Sequence, residues 1–209
     1  MSTIAPDNLE RVADAALSLA GLSARLDPTR YLAALAPGET PDMGRSILHM
    51  SGCGFAAGAA LRRAGYAGAE LAAPYVVGSA VSRVVGLARA HGAWRTFSAP
   101  LVRGAVFLIG GPGGGGPEHM AIVVGVRPAG PGVFDLTVVQ GGQTDEHGAQ
   151  VTNRQIRRLS VAPGAWAVDG RAGVGWVDAS ALELGGGGGG GLELAALAVL
   201  VVGVAWALS

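Results

Sequence analysis

The chain contains no lysine: all 15 basic residues are arginine. That excludes a Schiff-base mechanism and a phosphate loop built around lysine, and no GxxxxGK[ST] motif occurs. It has one cysteine, Cys53. An intrachain disulfide is therefore excluded, and nothing argues for an oxidising compartment. There is no charge excess either, with 15 basic against 15 acidic residues. Long-range attraction to nucleic acid or anionic lipid has no support from that balance. No charged segment followed by an apolar one opens the chain, so a standard signal peptide is not expected. The expected location is cytoplasmic or membrane-tethered, with any export through lysis or a dedicated secretion system.

What is present is apolar. Half of the 209 residues are hydrophobic and 14% are charged, which suits one domain with an appendage. Leu9, Val12, Ala15, Ala16 and Leu19 recur at helical spacing over 8–20, with Asp7 or Asn8 as cap and Gly21 as stop. Asp27-Pro28 opens a second short helix through about Leu35. After a Pro/Gly loop over 36–44, Ser51 is placed to cap a third helix and to set Cys53 in its first turn. Unpaired backbone N–H groups and the positive end of the helix dipole favour a thiolate there. Cys53, Ala56, Ala57, Ala60, Leu61 and Ala64 form its apolar stripe, and small residues allow close packing on a sheet. A fourth helix is expected over 79–90, ending at Gly92.

From Gly104 onward the pattern changes to strands. Ala105–Ile109 is short and apolar, and His119–Val126 is apolar on both faces, as in a covered strand. Val133–Gln140 follows a six-residue turn, Arg127–Gly132. Weaker strand signals lie at 151–152, 156–159, 165–168 and 173–177, with Asp169-Gly170 as a tight turn between the last two. Helices first and strands after predict an α+β domain. The domain is expected over 1–180 and a glycine-rich linker over 181–191. Seven of the linker glycines are consecutive, a flexible span of about 15 Å. An apolar tail over 192–209 is expected to be helical, with possible membrane contact through 192–208. Its 15 uncharged positions, 194–208, fall short of the roughly 17–25 that span a bilayer.

A site follows from pairing the strands. Closing a hairpin on Val126 and Val133 sets Val123 against Leu136, Ala121 against Val138 and His119 against Gln140, all on one face. A one-residue slip would carry Asp135 into the apolar set, whereas a two-residue slip would pair His119 with Val138 or Gly142. A cysteine at a helix start, a histidine on a strand and a polar residue orienting the ring form a set for nucleophilic catalysis.

Taken alone, Cys53 reads as a small buried apolar group; only the pair His119 and Gln140 turns it toward chemistry. His49, one turn upstream of Cys53, is a rival base. His91 reads as structural, His147 as solvated, and Trp166 and Trp176 as core. No cofactor is implied. No metal site is expected, because His49 and Cys53 are the one close Cys/His pair and no second pair completes a ligand set.

Three features resemble the papain-like cell-wall amidases and peptidases of the CHAP and NlpC type. They are a cysteine opening a small-residue helix, the turn-strand Gly104-Ala105-Val106-Phe107, and His119-Met120-Ala121-Ile122-Val123. The run Gln140-Gly141-Gly142-Gln143-Thr144-Asp145 is similar to one that follows the third strand in phage-type members. The resemblance covers about 45–178. It implies a papain-like fold, with N-terminal helices packed on a small antiparallel sheet and the apolar C-terminal helix added. It also implies an enzyme cleaving an amide bond, with peptidoglycan peptides as the implied substrate. Carried over, Cys53 is the nucleophile, His119 the base, and Gln140 or Gln143 the orienting residue. Ala105 stands where family members carry aspartate, and glutamine replaces their usual third residue. A degenerate relative that keeps the cleft for binding, or as a tethered structural module, is the alternative.

Overall fold

In a computed structural model, the residues described are 7–38, 40, 42, 47–48, 52–68, 80–111 and 117–182. Helix α1 spans Asn8–Leu19 and starts where the Asp7 side chain accepts the Glu10 N–H at 2.8 Å. Such a cap satisfies one of the helix's orphan donors. Helix α2, Pro28–Leu35, is capped by Asp27 in the same way, with proline in its first turn. Helix α3, Cys53–Arg63, is buried along every residue from Cys53 to Leu61, and helix α4 spans Ala80–Ala90. Gly52, which has no capping side chain, is the N-cap of α3; Ser51 lies outside the described residues.

Seven strands follow: β1 Trp94–Arg95, β2 Val106–Gly110, β3 Pro117–Gly130, β4 Val133–Thr144, β5 Gln150–Ala162, β6 Ala165–Val168 and β7 Arg171–Val177. All pairings are antiparallel, in the order β1-β7-β2-β3-β4-β5-β6. Strand β7 also pairs with β6, so β2 to β7 close on themselves and β1 lies outside, on β7. Among the described residues, the architecture is a closed six-stranded barrel with one outer strand and four short helices of 8–12 residues. This corrects the expected papain-like arrangement of N-terminal helices packed on a small antiparallel sheet.

Two features close the barrel. Strand β5 is one element of 13 residues, not the two fragments that its polar middle suggests. At the β6–β7 turn, Asp169 and Gly170 take φ of 50° and 76°. Such values match the twist of a tight hairpin and return β7 across to β2. The expected C-terminal apolar helix lies outside the described residues, as do the 185–191 glycine run and the 71–77 segment. Among the described residues, no helix is long and apolar enough to cross a membrane.

The sheet is apolar on both faces because each covers a separate core. Val106, Leu108, Met120, Ile122 and Val139 pack with the helices. Phe107, Ala121, Val123, Leu136, Val138 and Trp166 fill the barrel. This explains the uninterrupted hydrophobic runs of β2 and β3.

Three contacts fix α1 on the sheet. Arg103 pairs with Glu10 at 2.8 Å and with Asp14, both on α1, and donates to the Val124 carbonyl of β3 at 2.9 Å. Gly104 sits against α1 so closely that a Cβ there would lie 2.1 Å from the Leu9 oxygen. Thr152 of β5 holds the end of α1 through the Gly21 N–H and the Leu19 carbonyl.

The β3–β4 hairpin is longer than expected. Its last pair is Gly130 with Val133, leaving two residues in the turn instead of six. Nearer the site, Ile122 faces Val139 and Val123 faces Val138, with irregularities beyond Val123 and Pro128. Relative to the expected pairing, this part of the register is displaced by two residues.

Candidate functional site

The displaced register keeps His119 and Gln140 on one face, now as diagonal neighbours. His119 follows the alternation of Ala121 and Val123, and Gln140 that of Leu136 and Val138, so both side chains belong to the barrel side. His119 Nε2 lies 2.8 Å from Gln140 Oε1. An amide oxygen only accepts, so Nε2 carries the hydrogen and donates it. In the neutral ring Nδ1 is then left as the proton acceptor.

Gln140 is fully buried and its amide is held on both sides. Its Nε2 donates to Gln155 Oε1 at 2.9 Å, and Arg157 Nη2 donates to its Oε1 at 3.3 Å. Arg157 Nη1 in turn pairs with Asp169 Oδ2 at 2.9 Å, and Asp169 Oδ1 accepts the Arg158 N–H at 2.8 Å. Sequence reading missed Gln155, Arg157 and Asp169. The signal lay in β5: counting inward by twos from buried Leu159 reaches Arg157, Gln155 and Asn153, the polar end of the barrel face.

Cys53 is the first residue of α3, and the Ala56 N–H closes the first turn on the Gly52 carbonyl at 2.9 Å. This helix start is seated on the residues that follow Gln140. A Cβ on Gly141 would lie 2.5 Å from the Gly52 oxygen, and a Cβ on Gly52 would lie 3.5 Å from the Gly142 nitrogen. Cys53 as a residue is 3% exposed and belongs to the helix-side core. Cys53 thus comes to the same end of β4 as His119 and Gln140 through its backbone, while its side chain is shared with the helix packing.

The Tyr31 hydroxyl faces the same helix start: a Cβ on Gly52 would lie 2.8 Å from it, and it is buried with no hydrogen-bond partner among the described residues. Burial, and secondarily the charge of a Cys53 thiolate, push its pKa up to about 12. It remains a neutral donor at any ordinary pH.

The other candidates separate from this cluster. Gln143 pairs with Val151 and its side chain turns to the Gly142 carbonyl, so Gln140 is the glutamine that meets His119. His91 Nε2 lies 3.2 Å from the Tyr66 hydroxyl at the end of α4, a packing contact. His147 sits in a turn where Asp145 accepts two backbone N–H groups. His49 lies outside the described residues. Trp176 and Trp166 are buried in the barrel core, as expected. Among the described residues, no three His, Cys, Asp or Glu side chains converge as a metal site.

No family model, no curated protein and no solved structure matches the chain.

Proposed function

We propose that the chain is a cysteine hydrolase of amide bonds, with Cys53 as nucleophile, His119 as base and Gln140 as the group that orients the ring. The observation that carries this reading is the 2.8 Å contact of His119 Nε2 with Gln140 Oε1, an oxygen that can only accept. With Nε2–H committed to Gln140, Nδ1 is the nitrogen left to take a proton. The start of α3 supports it further, since that end favours an anion and is seated beside Gln140's strand. The closed barrel does not weigh against the chemistry, because such constellations recur on unrelated folds.

In the proposed reaction the Cys53 side chain turns from the helix-side packing toward the end of β4, His119 Nδ1 takes its thiol proton, and the sulfur attacks the amide carbonyl carbon. The first-turn N–H groups of α3 face the developing oxyanion. The C–N bond breaks as Nδ1–H protonates the leaving amine, and water then hydrolyses the thioester. Peptidoglycan peptides are the substrate proposed first. Alkylation tests the site. Cys53 should react rapidly with iodoacetamide near neutral pH, and His119→Ala should slow it by a factor on the order of 100. Gln140→Leu should also slow it, and Gln143→Leu should leave it unchanged. Slow labelling that none of these substitutions alters would sink the proposal.

One observation favours a second reading, a non-catalytic binding module. Cys53 is 3% exposed and packs with the helix-side core, whereas His119 faces the barrel side. On that reading the polar barrel end binds a peptide and Cys53 only packs. Retention of peptidoglycan binding by Cys53→Ala, with no cleavage by the parent protein, would select it.

A further inference from the structure

We infer that Arg157 is a positioning residue that fixes the tautomer of His119 by fixing the orientation of the Gln140 amide; this rests on the reading of His119 as a base. A glutamine amide fits its cavity in two orientations with oxygen and nitrogen exchanged. With oxygen toward His119, the ring keeps its hydrogen on Nε2 and Nδ1 is free to accept. With nitrogen toward His119, Nε2 must accept, the ring hydrogen moves to Nδ1 and the base is lost. Gln155 cannot choose between the two, because its own amide can turn to match either. Arg157 can, because a guanidinium only donates. Its Nη2, 3.3 Å from the position occupied by Oε1, is compatible with one orientation alone. The guanidinium is itself anchored through Nη1 to Asp169, whose other oxygen holds the Arg158 N–H. Asp169, Arg157, Gln140 and His119 thus form a directed chain from the β6–β7 turn to β3.

The test reads the tautomer directly, by long-range 1H–15N correlation on the full 15N-labelled chain at mildly alkaline pH. The His119 signals are assigned by their loss in His119→Asn. The Nε2–H form should dominate in the parent protein and in Arg157→Lys, which keeps a donor-only group. Arg157→Met should give a mixture with the Nδ1–H form. Arg157→Gln, which keeps hydrogen bonding but not its polarity, should do the same and serves if the methionine variant does not fold. An unchanged tautomer in a folded Arg157→Met or Arg157→Gln protein overturns the inference. The iodoacetamide rate on the same samples separates the two claims. A tautomer shift without a rate change supports the role of Arg157 and removes His119 as a base. A rate that needs His119 while the tautomer ignores Arg157 overturns this inference alone.

Discussion

Gly141→Ala tests whether the Cys53 helix is seated on β4. A methyl group at 141 would lie 2.5 Å from the Gly52 oxygen, 2.9 Å from its carbonyl carbon and 3.0 Å from Ala56 Cβ. Carbon contacts are favourable near 3.5–4.0 Å. The two nearest atoms are backbone, so no rotamer change relieves the overlap and the start of α3 must move. Overpacking of this kind costs about 1–3 kcal/mol. The φ of Gly141 is outside the left-handed region, so alanine also returns about 0.4–1 kcal/mol by restricting the unfolded chain. The net loss should be about 1–2 kcal/mol, read as a lower urea midpoint with an unchanged slope.

Gly86→Ala is the control. Gly86 is in the middle of α4, and a Cβ there meets nothing within 4 Å. The same chemical change should therefore stabilise by about 0.5–1 kcal/mol. Displacing α3 should also reduce any acceleration of Cys53 alkylation in Gly141→Ala, by up to about 100-fold for a shift near 1 Å. A Gly141→Ala protein as stable as Gly86→Ala would refute the close seating. The backbone link between Cys53 and the Gln140 strand would go with it.

Two further outcomes are expected. The Asp145 carboxyl is held below the usual carboxylate range chiefly by the Ala149 N–H, with Arg25 and the His147 N–H adding. A depressed folded pKa stabilises above the unfolded value, and the contribution is lost as pH falls through the folded one. Asp145→Asn should accordingly lower the urea midpoint near neutral pH, and the difference should shrink in acid; a pH-independent difference would count against it. For the tail, we propose membrane contact through 192–208. Deleting 185–209 should move the protein from the membrane to the soluble fraction, and solubility of both forms would end the anchor idea.

The helices were the most legible part of the fold. Asp7, Asp27 and Pro28 set the starts of α1 and α2, and the fourth expected helix agrees with α4 within about one residue. These are local signals, written within one turn of where they act. Barrel closure was not legible. Asn153, Arg154 and Gln155 interrupt the apolar pattern of β5, as a loop would. In the barrel the odd members of that segment face its polar end and the even ones face outward, so polarity on both sides is compatible with one continuous strand. Only the positions of β4 and β6 on either side make that visible. Those positions depend on pairings far apart in sequence.

The His119–Gln140 pair survived a register error because of strand parity. The expected turn was four residues too long, yet near the site the pairing moved by two residues, an even number. An even displacement leaves every side chain on its original face and turns a directly opposed pair into a diagonal one. Diagonal neighbours remain within reach of long side chains. His119 and Gln140 are long enough to meet, at 2.8 Å. Parity, however, relates strands of one sheet to one another and says nothing about which end of α3 lies over them. For Cys53 the deciding feature is Gly141, whose missing side chain lets the helix start lie on β4. The Gln140-Gly141-Gly142 run therefore contributes twice. Gln140 directs the imidazole from one face of the strand, and Gly141 admits the cysteine helix at the other. A substitution at Gly141 that spared the His119 tautomer but slowed Cys53 alkylation would separate those two contributions.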